Sequence, residues 1–471
     1  MRIALVYPSI SESGFNSDER DILFNHIHPG LCHLSAVCKK EGFGDITLID
    51  LRVLRDWNEF RKTVETLVPD VVGITSMSPD FGYAVRCAEI IKEVDPGIKT
   101  IIGGMHPTVK TEEAVENDKI DYIITGEGEI AFPKLLLSIK EGRVTDRVIK
   151  GERPDVDILP FIDRELFDCL EMPYDFFLPL PFMTILAGRG CNYSCKFCSP
   201  ATKIMHGPRI RQRSVDSVIE ELRYLRDTYG LKSFMFWDDC FTEDKNWVMA
   251  FCERYEKDGF EQPFVCQTRA DIICENVDMM KRLKDAGLAM ASIGFESGNN
   301  RILSFINKGT TVIQNLKAAD ICKRLGIKIW AYNMFGFPTE TNSEAFDTAK
   351  MIRKIRPYRS SAAFFTPHPG SFFYDYCKKH DLNLIGEHDD FVRFPEIDRA
   401  KIKEIDYEFM RKMAIVSKKP TLGVKIRIKA EKIFSHKRNK PFKVRFQAER
   451  RREPSLNKMT LLRLTHQAGR I

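Results

Sequence analysis

Three cysteines fall within eight residues of one another in the segment RGCNYSCKFCSP, residues 189–200. Cys191, Cys195 and Cys198 follow a Cys-x3-Cys-x2-Cys spacing, and thiolates this close together select zinc or an iron–sulfur cluster. A structural zinc site is closed by four ligands. No fourth Cys or His adjoins the segment, although His206 could reach it. A cluster of four irons held by three thiolates would instead leave one iron open for a chelating substrate.

The rest of the cysteines and the N-terminus indicate a reducing compartment. The chain has 13 cysteines, and its first residues, MRIALVYPSI, have too short an apolar stretch and too early a proline for a secretory signal. No apolar run approaches the roughly 20 residues of a membrane-spanning helix. We therefore expect a cytoplasmic protein with reduced thiols, in which a tight cysteine cluster serves metal binding or catalysis.

Six units of strand and helix between residues 183 and 385 predict the element that positions the cysteines, a partial TIM-like (β/α)6 barrel. The cysteine segment follows MTILA, Asp238 and Asp239 follow SFMFW, Arg269 follows FVCQT and Glu296 ends MASIGFE. Active sites of parallel barrels lie at the carboxyl ends of the strands. We therefore expect these side chains to meet at one rim.

The first 150 residues alternate buried strands with amphipathic helices, which predicts a doubly wound, flavodoxin- or Rossmann-like α/β domain. Ligands of such domains bind at the carboxyl ends of the strands. Small and polar residues collect there after DVVGIT, KTII and YIIT; they include Ser76, Met77, Gly103, Gly104 and Glu127. They are candidate ligand-binding residues, with ordinary turn residues as the alternative.

Prolines in residues 151–182 predict a linker, and residues 386–471 form a basic C-terminal extension without a firm domain. Residues 399–471 hold 22 Lys and Arg against 6 Asp and Glu, a local net charge of +16. Within it, VKIRIK alternates like a strand. Such a run is a solvated face, a nucleic-acid arm or a patch for peripheral contact with an anionic membrane.

The cysteine segment at the end of the first barrel strand, with Phe197 before the last cysteine, resembles the radical S-adenosylmethionine (SAM) superfamily. The resemblance extends over IGFESGNNRILSFINKGTT and GFPTET. It implies that Cys191, Cys195 and Cys198 hold a 4Fe–4S cluster, whose open iron is chelated by the amino and carboxylate groups of SAM. An electron from the cluster then splits the sulfonium and yields a 5′-deoxyadenosyl radical that abstracts hydrogen.

The same resemblance implies roles for the other residues at the rim. Asp238 and Asp239 would accept from the ammonium of SAM, or merely cap a helix. Arg269 would pair with its carboxylate, or form a surface salt bridge. Glu296 would accept from ribose hydroxyls or touch substrate, and it could equally make a structural hydrogen bond. Gly336 and Pro338 would shape the turn near adenine.

DVVGITSMSPD, IKTIIGGMHPT and IDYIITGEGE resemble the cobalamin-binding domain of one subgroup of that superfamily. Ser76, Met77, Gly103, Gly104 and Glu127 would then bind cobalamin. No Asp-x-His occurs in residues 1–150, so the cobalt would lack the histidine ligand of that motif. An open lower face suits methyl transfer to a carbon radical.

We therefore expect a cobalamin-dependent radical SAM enzyme that methylates an unactivated carbon of a small molecule in a reduced cytoplasm, with a flavodoxin or ferredoxin-type electron donor. The first alternative is an oxidative cyclase or ring-modifying enzyme of the anaerobic magnesium-protoporphyrin monomethyl ester cyclase type, which the segments FWDDCF and GFESGNNRIL also resemble. A different class, an RNA-modifying or RNA-binding protein, is suggested only by the basic extension, and no stable nucleic acid partner is expected.

Overall fold

The computed structural model describes residues 1–11, 14–15, 26–143, 145–167, 177–386, 391 and 400–418. Within these ranges the strands form two parallel six-stranded sheets and one short antiparallel pair. Each parallel sheet belongs to one of the two predicted α/β units.

The first sheet contains strands β1 to β6 and is flanked by helices α1 to α6. The strands are β1 (Ile3–Tyr7), β2 (Ile46–Asp50), β3 (Val71–Thr75), β4 (Lys99–Gly103), β5 (Tyr122–Thr125) and β6 (Val148–Lys150). The helices are α1 (Pro29–Lys40), α2 (Trp57–Leu67), α3 (Phe81–Val94), α4 (Met105–Val109), α5 (Thr111–Val115) and α6 (Ala131–Lys140). The strand order is β2-β1-β3-β4-β5-β6, so the order reverses beside β1, as it does in flavodoxin-like sheets.

Strand β1 shows why helices cover both faces of this sheet. Ala4 and Val6 pack into one apolar cluster, whereas Ile3, Leu5 and Tyr7 pack into another on the opposite face. Successive side chains of a strand point to opposite faces, and a parallel sheet that is apolar on both faces needs helices on each. The predicted doubly wound domain is confirmed.

The second sheet is an open half-barrel with helices on its outer side. Its strands are β7 (Phe182–Ile185), β10 (Ser233–Phe236), β11 (Phe264–Thr268), β12 (Leu288–Glu296), β13 (Lys328–Phe335) and β14 (Arg359–Phe364). Their order is β14-β13-β12-β11-β10-β7, which makes β7 and β14 the edges and confirms the partial barrel. Its helices are α8 (Val215–Tyr229), α9 (Lys245–Lys257), α10 (Ala270–Glu275), α11 (Val277–Asp285), α12 (Asn300–Phe305), α13 (Val312–Arg324) and α14 (Asn342–Ile355).

Both ends of helix α8 have residues that favour a helix terminus. The side chain of Ser214 accepts from the backbone N–H of Ser217 at 3.2 Å, and Gly230 ends the helix with φ 67°. A hydroxyl at the N-cap satisfies a free helix N–H. A left-handed C-terminal position favours glycine.

Several short elements were not predicted. They are the antiparallel pair β8 (Gly188–Arg189) and β9 (Arg211–Gln212), strand β6, and helices α7 (Ala201–His206), α15 (Phe372–Lys379) and α16 (Tyr407–Lys418). Two or three residues are too few to show a hydrophobic period, and the three residues of β6 are largely exposed. Helix α16 lies in the predicted extension and packs on α14 and β14; VKIRIK lies outside the described residues.

The predicted linker forms hydrogen bonds to both domains. Asp163 accepts from the Ser35 hydroxyl and the Lys39 ammonium of α1, each at 2.6 Å. The next residue, Arg164, is buried and donates to the carbonyl of Thr184 in β7. Among the described residues, no helix is both long and apolar enough to cross a membrane.

Candidate active site between the two domains

The cysteine loop connects β8 to α7 and folds as a tight turn around its second cysteine. The carbonyl of Cys195 accepts from the backbone N–H groups of Cys198 at 3.1 Å and Ser199 at 2.8 Å. The loop is anchored to the barrel because the N–H of Lys196 donates to the carbonyl of Ile306 at 2.9 Å. All three thiols are free of disulfides; Cys195 is buried and the other two are partly exposed.

Three cysteine thiols on one short loop are a set of donors that suits an iron–sulfur cluster. Among the described residues, no group of three His, Cys, Asp or Glu side chains is placed to hold one metal ion. A four-iron cluster takes one cysteine per iron, so its thiols need not converge on one point. Burial, with the nearby Cys195, raises the pKa of Cys191 to about 11 and raises that of Cys198, and bound iron would hold these groups as thiolates instead.

Arg269 lies against the cysteine loop. Its Nη1 donates to the Sγ of Cys195 at 3.7 Å, and its guanidinium carbon lies 3.5 Å from the ring centre of Tyr193. Asp271 accepts from both its Nε at 3.0 Å and its Nη2 at 2.8 Å. The arginine therefore sits at the predicted rim, in contact with a predicted cluster ligand.

Glu296 ends β12 and forms a buried ion pair with Lys308, 2.9 Å between Oε1 and Nζ. Its backbone has φ 60°, a left-handed conformation that costs a non-glycine residue free energy. A side chain at Gly294 would collide with the carboxylate of Glu296 and approach Nζ of Lys308 within 2.9 Å. Residues 294–297, the GFES segment, thus hold the carboxylate of Glu296 in a single buried position.

Asp238 and Asp239, at the end of β10, have different surroundings. Asp238 is 2% exposed and accepts from the backbone N–H of Ala187 at 3.2 Å, while its Oδ1 has no hydrogen-bond partner. Burial raises the pKa of Asp238 to about 7. Asp239 is exposed and lines the cavity between the domains.

Gly336 and Pro338 lie in a buried turn after β13. The carboxylate of Glu340 accepts from the backbone N–H of Gly336 at 2.6 Å and of Phe337 at 3.1 Å. Gly336 has φ 82°, which favours glycine. Burial raises the pKa of Glu340 to about 8. Gly336 and Pro338 therefore lie at turn-forming positions, and the carboxylate of Glu340 stabilises the turn.

The carboxyl ends of both sheets border one cavity of about 380 Å³, a volume in the usual range for cofactor sites. From the first domain, the predicted residues Met77, Gly103, Gly104 and Glu127 line it. From the barrel it is lined by Leu186, Gly188, Arg189, Gly190, Met205, His206, Trp237 and Asp239. The remaining predicted residue, Ser76, is 1% exposed and joins two strand ends: its N–H donates to Gly103 and its carbonyl accepts from His106.

The wall of this cavity suits a large flat ligand. Gly104 has φ 105°, and a Cβ there would stand 2.7 Å from the carbonyl oxygen of Ser76, so only glycine lets the β3 and β4 loops come this close. Met77 is 50% exposed and offers an apolar surface. Glycines and apolar side chains along three strand ends leave room for a corrin ring to approach the backbone.

Histidines near the cavity are held by protein contacts. His28 caps α1, with Nδ1 3.1 Å from the N–H of Leu31, and burial lowers its pKa to about 4. His33 lies 3.3 Å from Arg189, and burial lowers its pKa to about 4 as well. His106, from the GGMHPT segment, is buried between Ser78 and Glu113, each 3.1 Å from one of its ring nitrogens.

Glu127 connects the two domains. Its carboxylate lies 3.1 Å from Arg189, 2.9 Å from Nδ1 of His206, and pairs with Arg211 as well. Glu129 adds a 2.6 Å ion pair to Arg189. Glu127 was predicted only as a cofactor-binding residue, yet its carboxylate is engaged by three barrel side chains. His206 likewise contacts this carboxylate of the first domain.

Sequence reasoning missed several partners at the site. Lys308 and Glu243 were not singled out, although Lys308 pairs with Glu296 and Glu243 accepts from the backbone N–H of Asn192 in the cysteine loop at 3.0 Å. The only sequence feature that pointed to Lys308 is its place in the motif segment INKGTT. Arg189, directly before the cysteine loop, carried no signal beyond its position.

Comparisons with known proteins agree with this architecture. The B12 binding domain family matches residues 20–136 and the Radical SAM superfamily matches residues 185–352. An uncharacterized methyltransferase from Pyrococcus horikoshii is 30% identical over 372 residues, 75% of this chain and 79% of the relative. An anaerobic magnesium-protoporphyrin IX monomethyl ester cyclase from Rubrivivax gelatinosus is 28% identical over 391 residues, 79% of this chain and 69% of the cyclase.

Among solved structures, the fold resembles TsrM of Kitasatospora setae, a radical SAM methyltransferase solved with tryptophan and a SAM analogue. The TM-score is 0.60 and the identity 18%, over 80% of this chain and 76% of TsrM. The chain belongs to the radical SAM superfamily. It is one of the enzymes that carry a B12 binding domain ahead of the radical domain, with a 4Fe–4S cluster, SAM and cobalamin as cofactors.

Proposed function

We propose that this enzyme transfers a methyl group from SAM, by way of cobalamin, to an unactivated carbon of a small molecule. The observation that carries the proposal is the shared cavity, in which the strand ends of the B12 domain face the residues that flank the cysteine loop. A substrate held there would lie between two cofactors. The first relative described above bears the name methyltransferase.

When bound, the cluster and SAM supply a hydrogen-abstracting radical, and cobalamin supplies the methyl group. The three cysteines of the loop would hold the cluster. Met77, Gly103 and Gly104 would provide the floor for the corrin ring. The ion pairs of Glu127 would hold the two domains together around the cavity, and closure of the cavity would exclude water from the reacting groups.

Asp238 and Asp239 are the proposed partners of the SAM ammonium. Both follow β10, whose end borders the cysteine loop, and the unpartnered Oδ1 of Asp238 is an acceptor available there. Glu296 is proposed to accept from the ribose hydroxyls when its pair with Lys308 opens. Gly336 and Pro338 are proposed to border adenine through the backbone.

The second candidate function is oxidative cyclisation or another ring modification. It is favoured by the cyclase relative, which covers 79% of this chain at 28% identity. Trp237 lines the cavity and would suit a flat conjugated substrate. Both reactions would use the same radical, so the fate of the methyl group separates them.

We further propose a flavodoxin or ferredoxin-type protein as the electron donor, in a cytoplasmic setting. The basic extension, 22 Lys and Arg against 6 Asp and Glu in residues 399–471, would permit peripheral contact with anionic lipid. Most of that extension lies outside the described residues, so its charge alone supports this part of the proposal.

The test is to incubate the reconstituted enzyme anaerobically with SAM carrying a deuterated methyl group, a reductant, cobalamin and an extract of small metabolites. Mass spectrometry follows the label. Methylation predicts a metabolite that gains the whole deuterated methyl group, and its formation stops in a variant lacking the three cysteines. Consumption of a metabolite with 5′-deoxyadenosine released but no label in any product would contradict methylation and favour the cyclase reaction.

A further inference from the structure

Arg269 is held so that every nitrogen of its guanidinium group has a partner. Nε and Nη2 donate to Asp271, Nη2 also donates to the carbonyl of Lys308, and Nη1 donates to the Sγ of Cys195. The flat face of the group covers the ring of Tyr193. The arginine side chain is only 6% exposed.

This arrangement does not favour pairing with the carboxylate of SAM. An arginine that binds a carboxylate presents two parallel N–H groups, and here the Nε and Nη2 edge already faces the carboxylate of Asp271. A ligand would have to displace a buried ion pair. The remaining edge, at Nη1, faces a cysteine that is a predicted cluster ligand.

Hydrogen bonds to the sulfurs and the net charge around an iron–sulfur cluster tune its reduction potential. Reduction adds one negative charge to the cluster, so a donor aimed at a ligand sulfur stabilises the reduced form. A nearby carboxylate has the opposite effect. Arg269 and Asp271 are therefore two opposing influences on one sulfur atom.

We propose that Arg269 is a positioning residue for the cluster: it donates to the Cys195 sulfur and raises the reduction potential, while Asp271 orients the guanidinium and moderates its charge. The inference rests on the cluster of the proposed function. It replaces the expected pairing of Arg269 with SAM. Its signature is a pair of opposite shifts, which a purely structural role does not produce.

The experiment compares the midpoint potential of the cluster in wild type, Arg269→Gln and Asp271→Asn, by anaerobic redox titration followed by electron paramagnetic resonance without SAM. Arg269→Gln removes the donor and leaves Asp271 unbalanced, so the potential falls. Asp271→Asn removes the negative charge, so the potential rises. Arg254→Gln and Asp258→Asn, a matched pair with its own 3.0 Å ion pair on α9, leave the potential unchanged.

SAM affinity, measured by equilibrium dialysis, separates a role of Arg269 in tuning the cluster from a role in binding the carboxylate of SAM. We expect both rim variants to stay within about threefold of wild type. An unchanged potential in Arg269→Gln with a loss of SAM affinity of about thirtyfold or more would overturn the proposal, because a charge pair to the carboxylate is worth at least that. If Arg269→Gln takes up no iron, the test rests on the midpoint potential of the cluster in Asp271→Asn. An unchanged or lower potential in that variant contradicts the proposal. Failure of the wild type to assemble any cluster would contradict the proposed function instead.

Discussion

The electrostatic state of each buried carboxylate at this site depends on the groups around it. Asp238, Glu296 and Glu340 are all buried carboxylates at strand ends, yet each has a different partner: backbone amides and an unpartnered oxygen for Asp238, Lys308 for Glu296, and a turn for Glu340. Their electrostatic states therefore differ. The pKa shift of Asp238 is the most direct one to test, because burial is its main cause.

Replacing Asp238 with Asn should change how stability depends on pH. Burial raises the folded pKa of Asp238 to about 7 from 3.8, so between these values the folded state binds more protons than the unfolded state. The wild type should then lose stability relative to Asp238→Asn as pH rises from 4 to 7, by up to about 4 kcal/mol. Thermal unfolding of the cofactor-free proteins across this pH range measures the difference.

The control is Asp227→Asn, since the Asp227 side chain is 59% exposed. Its stability difference from wild type should remain nearly constant over the same range. A constant difference for Asp238→Asn too would mean that this carboxyl is not buried as described.

Sequence reasoning located the polar residues better than it identified their partners. The end of a strand is visible as the end of an apolar run, so Asp238, Arg269 and Glu296 were placed at one rim. Arg269 contacts Cys195, 74 positions earlier, and Glu127 pairs with Arg211, 84 positions later. The first contact depends on packing within the barrel and the second on packing between the two domains, and no local pattern reports either.

Elements with a clear hydrophobic period were predictable, and short or edge elements were not. Helix α8 has four buried apolar residues at helical spacing, a serine N-cap and a glycine C-cap. Helix α16 lies in a basic region whose composition conceals its narrow apolar side, yet Met410 and Ala414 are fully buried. Two elements therefore deserve tests, β12 at the site and α16 beside it.

In β12, Gly294→Ala should destabilise the protein by about 1 to 3 kcal/mol, the usual cost of overpacking. The added Cβ would collide with the Glu296 carboxylate and crowd Lys308, so the buried ion pair must shift. Calorimetric unfolding measures the loss. Gly44→Ala is the control, because a Cβ there meets nothing within 4 Å; equal effects at the two positions would argue against a tight GFES segment.

In α16, Met410→Ala should cost about 3 kcal/mol, since it removes a fully buried side chain and leaves a cavity. The matched variant Ile415→Ala on the same helix removes a side chain that is 41% exposed, and it should cost much less. Denaturant unfolding measures both. Equal small losses would mean that α16 does not dock on the barrel in solution.

Across the molecule, a group of ion pairs connects the two domains. Arg189 and Arg211 lie on the paired strands β8 and β9, which precede and follow the cysteine loop and α7 in sequence, and both pair with Glu127 in the first domain. The cavity for a corrin ring and the loop for a cluster thus share a wall. Domain closure and cofactor binding should depend on each other.

Glu127→Gln should weaken this connection. Loss of this buried carboxylate leaves Arg211 without its carboxylate partner and Arg189 with Glu129 alone. Breaking a buried ion pair typically costs about 3 kcal/mol, and cobalamin should bind more weakly to the looser cavity. Calorimetric unfolding and cobalamin binding measure the two effects. Glu112→Gln, whose side chain is 62% exposed, should change neither, and unaltered stability in Glu127→Gln would contradict the role of this residue between domains.

The most direct test of the proposed cofactor assignment is metal analysis after anaerobic reconstitution with iron, sulfide and cobalamin, beside a variant in which Cys191, Cys195 and Cys198 are replaced by alanine. We expect about four irons per chain in the wild type together with one cobalt, and loss of the iron but not the cobalt in the variant. Zinc in place of iron, iron retained by the variant, or wild type without cobalt would contradict it.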